Sequence, residues 1–101
     1  MSELDKLEQY LQEHGDKYTR EDVEGEPDHN APPPHWSVHQ IVVYNAKGTR
    51  KWDAICQRGS YGYEDGLLEI YGDIVDYDKD GDSVVGWLTA EDVIKRVRGK
   101  R

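Results

Sequence analysis

Apolar residues recur along the chain in two alternating rhythms, one helical and one of period two. Leu4, Leu7 and Leu11 repeat at helical spacing behind Ser2 and Asp5, which stand three apart as in a capping box, and Gly15 closes the run. This spacing predicts a helix over residues 3–14. Tyr18-Thr19-Arg20 fits a short strand. β-branched and aromatic residues fill 38–44 and 49–56 on either side of Asn45-Ala46-Lys47-Gly48, which predicts a β-hairpin. If Tyr44 faces Thr49, Ile41 stands opposite Trp52 and His39 opposite Ala54. Ile41, Val43, Trp52, Ala54 and Cys56 then turn toward the core. Leu67, Leu68 and Tyr71 read as a short helix over 64–71, ended by Gly72. Ile74-Val75 and residues 83–88 read as short strands joined by an acidic turn. Thr89 and Asp92 repeat the capping pattern, with Leu88 placed to staple onto Val93. Val93, Ile94 and Val97 form the stripe of a last helix that ends at Gly99.

Between these periodic segments, 21–35 is polar and rich in breakers, and Pro32-Pro33-Pro34 favours extended chain. It is expected to be a flexible loop, and residues 99–101 a frayed tail. At 101 residues the chain suits one domain with one core. The expected fold is α+β: a small antiparallel sheet built on the central hairpin, with N-terminal, middle and C-terminal helices packed on it.

Charge changes the picture of what such a domain binds. Twenty-one acids against thirteen bases give a net charge of −8, which opposes general binding to nucleic acid or anionic membrane. The acids are segmented. Residues 1–30 and 64–92 are acidic, whereas 31–63 carry four bases and one acid, and 93–101 only bases. The single cysteine, Cys56, rules out an intrachain disulfide, and the first residues lack the basic and apolar regions of a signal peptide. No apolar run reaches the length of a membrane span. The expected setting is cytoplasmic.

Several groups of residues invite a chemical reading. Asp76-x-Asp78-x-Asp80-Gly81 opens like a calcium loop, but the twelfth position is Trp87 where such a loop has its bidentate Glu. A solvated turn explains these acids better. His39 lies near Cys56 on the hairpin, yet zinc needs three or four ligands, and a lone buried cysteine is usually a small hydrophobe. Neither group is expected to hold a metal, and no cofactor is called for. Asp53 points to the strand face opposite Cys56, so the three residues form no simple triad. Gly59-Ser60-Tyr61-Gly62 lacks the Lys and Ser/Thr of a phosphate loop and reads as a turn.

His39-Gln40-Ile41-Val42-Val43-Tyr44, Trp52-Asp53-Ala54-Ile55-Cys56, Gly59-Ser60-Tyr61-Gly62-Tyr63, Gly66-Leu67-Leu68-Glu69 and the run Gly86-Trp87-Leu88-Thr89-Ala90-Glu91-Asp92-Val93-Ile94 look like segments of one group of proteins. These are small uncharacterised proteins of prophages and mobile elements of Gram-positive bacteria, and the resemblance covers residues 38–97. It implies a bacterial or phage setting and a function exercised through binding, with no activity to carry over. The expected function is therefore that of a non-enzymatic binding or regulatory module whose partner is another protein. Arg50, Lys51, Arg58, Tyr61, Tyr63 and Trp87 are the candidate contact residues, since aromatics and Arg dominate binding hot spots. The alternative is an acidic nucleic-acid mimic that occupies the basic groove of a DNA- or RNA-binding enzyme. A Cys/His-based enzyme or metal site is the least favoured reading.

Overall fold

The computed structural model describes residues 1–24 and 37–99. Among these, an antiparallel five-stranded meander in the order β1-β2-β3-β4-β5 carries helices at the N-terminus, middle and C-terminus of the chain, an α+β fold. Helix α1 (Glu3–Glu13) begins with the capping box expected from its sequence: the Asp5 amide donates to Ser2 Oγ at 3.1 Å and the Ser2 amide to Asp5 Oδ2 at 3.1 Å. Its buried stripe is Leu4, Leu7, Tyr10 and Leu11. Helix α3 (Ala90–Gly99) repeats the device with Thr89 and Asp92, and buries Ala90, Val93 and Val97. No helix among the described residues is long and apolar enough to cross a membrane.

Strand β1 (Lys17–Glu24) runs four residues into the segment expected to be loop, paired with β2 (Ser37–Tyr44) as far as Glu24–Ser37. The ladder to β2 holds these residues extended despite their charge. The rest of the expected loop and the last two residues of the tail lie outside the described residues.

The hairpin of β2 and β3 (Arg50–Ile55) forms with a register two residues from the expected one, pairing Ile41 with Ala54 and Val43 with Trp52. The cause is the turn. Asn45 Oδ1 accepts the Lys47 and Thr49 amides, and the Asn45 amide donates to the Thr49 carbonyl, so Thr49 belongs to the loop. An irregularity between Val43 and Tyr44 then absorbs one further residue. A slip of two preserves the side-chain alternation. Ile41, Val43, Trp52 and Ala54 are therefore buried in the core as expected, and Cys56 packs beside them.

Residues 64–71 are not a helix. A 3-10 turn (Tyr63–Asp65) leads into strand β4 (Leu68–Gly72), in which Leu68 and Ile70 are fully buried and Tyr71 is exposed. The sequence also carries a period of two here, and pairing with β3 selects it. The middle helix, α2, is a single turn at Tyr77–Asp80 inside the segment expected to be an acidic turn. Its Asp76 cap and a two-pronged ion pair from Arg96 to Asp80, at 2.9 and 3.0 Å, hold it beside α3. Ile74 is buried in the turn before it rather than in a strand. Strand β5 (Val84–Leu88) ends the sheet and pairs with no further strand among the described residues.

Helices α1 and α3 pack against each other on one face of the sheet, where the core lies. Glu3 Oε1 accepts the Ala90 amide at 2.8 Å, so the first turn of α1 satisfies the first amide of α3. Among the described residues, the opposite face of the sheet carries no helix of this length.

Candidate binding face

Strand alternation decides what that second face presents. Leu68 and Ile70 point into the core, so Glu69 and Tyr71 between and beyond them point away from the helices. The Glu69 carboxylate accepts the Tyr61 amide at 2.9 Å, which brings the connector 57–62 over this side of β4. There the Tyr61 ring stacks on Trp87, with centroids 5.3 Å apart and planes 14° from parallel. Both remain open to solvent, Tyr61 at 51% and Trp87 at 59% of their full surface.

The backbone is shaped to hold this pair. Trp87 has φ +55°, the one non-glycine residue described with positive φ, at the irregularity between the Ile70–Val85 and Leu68–Leu88 pairs of the β4–β5 ladder. A bulky L-residue there costs roughly 1–2 kcal/mol. The Trp87 amide donates to the Tyr61 carbonyl at 3.3 Å. Beside it Gly86 lies so close that a Cβ would stand 2.2 Å from Tyr61 Cβ. Gly62, at φ +96°, is less tight, an added Cβ standing 3.0 Å from the Trp87 amide nitrogen and Cα. The glycines thus permit the connector and the edge strand to touch main chain to main chain.

The candidate contact residues fall into two groups. Tyr61 and Trp87 meet directly, Tyr63 opens the adjoining 3-10 turn, and Arg58 sits three residues upstream in the turn closed by the Ser60 amide on the Gln57 carbonyl. Arg50 and Lys51 lie at the other end of β3, roughly 15–20 Å away at about 3.3 Å per residue. They line a recess of about 230 Å³ with Trp52, Asp53, Tyr71 and Gly72. Tyr71, 57% exposed, therefore belongs to the face although sequence reasoning passed over it as a helix residue. The period of two through Leu68 and Ile70 was the signal for it. Gly86 was the corresponding signal for the bulge, since glycine inside a strand often marks a close backbone approach. Trp52 is a core residue, 3% exposed.

In the same recess Asp53 is half-buried. Burial pushes its carboxyl above the ordinary range, against a 2.7 Å hydrogen bond from Gln40 and the positive charge of Arg50. Cys56 is likewise raised by burial, with the Glu3 charge adding to it, so its sulfur is held as the thiol. The observed register sets His39 directly across from Cys56, whose amide donates to the His39 carbonyl at 3.1 Å. The imidazole turns the other way. Its Nδ1 meets Asp22 at 2.8 Å and its Nε2 meets Glu24, and Arg20 extends the chain to Asp22, Asp5 and Glu8 at 2.8–2.9 Å. Hydrogen bonding to Asp22 raises the His39 pKa, and the same bond holds Asp22 below its ordinary value.

The aspartates of the calcium-like segment serve the backbone. Asp76 Oδ1 accepts the Asp78 and Lys79 amides at 3.1 and 3.3 Å, and Asp80 is engaged by Arg96. Among the described residues no three His, Cys, Asp or Glu side chains are grouped to hold a metal ion. The chain matches no protein-family model, no curated protein and no solved structure.

Proposed function

We propose that this chain is a non-enzymatic binding module that engages another protein through the sheet face opposite its helices. One observation carries the reading. The fold places a tryptophan in a strained left-handed conformation, yet leaves the ring mostly in solvent, stacked on a tyrosine that is about half exposed. Strain held at a solvent-facing aromatic contributes nothing to a core, and aromatic residues of this kind anchor protein interfaces. Tyr71 and the Arg50–Lys51 recess extend the surface along the same sheet. A bacterial or phage cytoplasmic setting accords with this role.

The test uses Trp87→Gly. Relief of strain, worth roughly 1–2 kcal/mol, offsets loss of a ring stack worth about 0.5–1.5 kcal/mol, so the variant keeps its fold. Immobilised wild-type and variant proteins are exposed to extract of the source cell, and the retained proteins are identified by mass spectrometry. A partner held by wild type and by Glu13→Gln, on the helix side, is expected to be lost with Trp87→Gly and with Tyr61→Ala. Retention of the same proteins by all four would defeat the proposal.

A further inference from the structure

We infer that the Tyr61–Trp87 shelf receives an arginine side chain from a basic segment of the partner, the guanidinium lying on the open face of the indole. This rests on the reading of that face as a binding surface and adds the chemistry of what it takes.

The occupant follows from shape and from charge. Stacking covers one face of each ring, while 59% of Trp87 stays accessible, so the indole offers its other side to a flat group. Trp87 lies on β5, a free edge of the sheet, where no further strand limits approach among the described residues. The face of an indole is the negative end of its quadrupole and attracts cations more strongly than other aromatic rings do. The surroundings have the same sign. From Gly59 to Gly72, the stretch that carries the shelf's tyrosine, the chain has Glu64, Asp65 and Glu69 and no Lys or Arg. Glu64 and Asp65 are exposed beside the shelf, in the turn that follows Gly62. Arg58, one residue before this stretch, is the nearest base in sequence.

This field disfavours a phosphate or carboxylate on the shelf and leaves a neutral proline or sugar without electrostatic gain. Between the two cationic side chains, the planar and weakly hydrated guanidinium stacks in parallel on a ring, whereas the ammonium of Lys is compact and strongly hydrated. The charge of −8 adds long-range attraction for a basic segment, which speeds encounter but does not choose the residue that docks. The shelf supplies that choice.

The experiment titrates the full chain with three nonapeptides, of arginine, of lysine and of proline, and follows the indole N–H resonances by NMR. The arginine peptide is expected to bind most tightly and to move the Trp87 signal while that of core Trp52 stays in place. Trp87→Leu, which keeps an apolar side chain without a π face, is expected to weaken arginine binding about 2- to 30-fold. Trp87→Phe should restore part of it. Equal affinity of wild type and Trp87→Leu for the arginine peptide, tighter binding of the proline peptide, or no binding at all would each overturn the assignment. If the arginine peptide fails while retention of the cellular partner still depends on Tyr61 and Trp87, only the arginine assignment falls. If neither depends on these rings, the binding face falls with it.

Discussion

Gly86→Ala isolates the contact on which the exposed aromatic pair depends. The backbone of Gly86 is not in the left-handed region, so alanine is allowed there by its φ, and the substitution even reduces the entropy of the unfolded chain. The obstacle is space. An added Cβ stands 2.2 Å from Tyr61 Cβ and 2.9 Å from the Tyr61 carbonyl oxygen, whereas carbon atoms rest at about 3.5–4.0 Å. Connector and strand must therefore separate by more than about 1 Å. That separation breaks the Trp87 amide bond to Tyr61 and unstacks the rings. Overpacking costs roughly 1–3 kcal/mol, and loss of the stack about another 0.5–1.5 kcal/mol at most. Against these, the unfolded-state gain is about 0.4–1 kcal/mol. The net expectation is a loss of about 0.5–4 kcal/mol, read as a lower midpoint in urea unfolding at unchanged slope. Tyr61→Gly removes the atom that the added methyl group would meet. In that background the same change should cost about 1 kcal/mol less, the coupling expected of side chains in direct contact. A neutral Gly86→Ala, or a cost identical in both backgrounds, would refute the close approach.

Two further outcomes follow from the site geometry. Asp22 is held below its ordinary value of 3.8, so its contribution is present above that pH and is lost as the medium falls through the folded pKa. His39 is raised above 6.5, so its contribution is complete below 6.5 and disappears as pH rises through the folded value. The link among Arg20, Asp22, His39 and Glu24 therefore stabilises most between roughly pH 4 and 6.5. His39→Gln should abolish the decline above that window, a change of a few tenths to about 1 kcal/mol visible in unfolding midpoints at about pH 6 and 8.5; a wild-type decline that persists in the variant contradicts the assignment. For Cys56, burial and the raised thiol pKa predict slow alkylation in the folded protein and fast alkylation once urea unfolds it, followed by mass spectrometry. Rapid labelling of the native chain would show an exposed, activated sulfur instead.

Much of the fold was legible because its signals are local. Ser2 with Asp5 and Thr89 with Asp92 announce two helix starts within four residues each, and Leu4, Leu7 and Leu11 of one buried stripe and Val93 and Val97 of the other follow from spacing alone, whereas Ile94 is only half-buried and Tyr10 and Ala90 join the stripes. The core face of the hairpin was also readable, since alternation survives a two-residue slip. The register itself was not. It depends on how much chain the Asn45 side chain gathers into the turn. Residues 67–71 satisfied helical and strand spacing together, and pairing with β3 decided between them. The candidate site was legible as a set of residue types but not as a surface. Arg50 and Lys51 are close to Tyr61 in number and at the far end of a strand in space, while Tyr71 was missed because its direction depends on the strand assignment.

By itself the sequence determined the helix starts, the hairpin, the inward face of its strands and the segmented charge, because each is written in neighbours a few residues apart. Tertiary structure alone decided that Glu3 reaches the Ala90 amide, that Arg96 grips Asp80, and that Tyr61 lies on Trp87. The partners in these contacts are separated by 16 to 87 positions in the chain, and only the order and twist of the strands bring them within bonding distance. The exposed aromatic pair is the clearest case. Its rings are visible in the sequence, but the glycine contact and the left-handed Trp87 that join them exist only once β5 has closed the sheet.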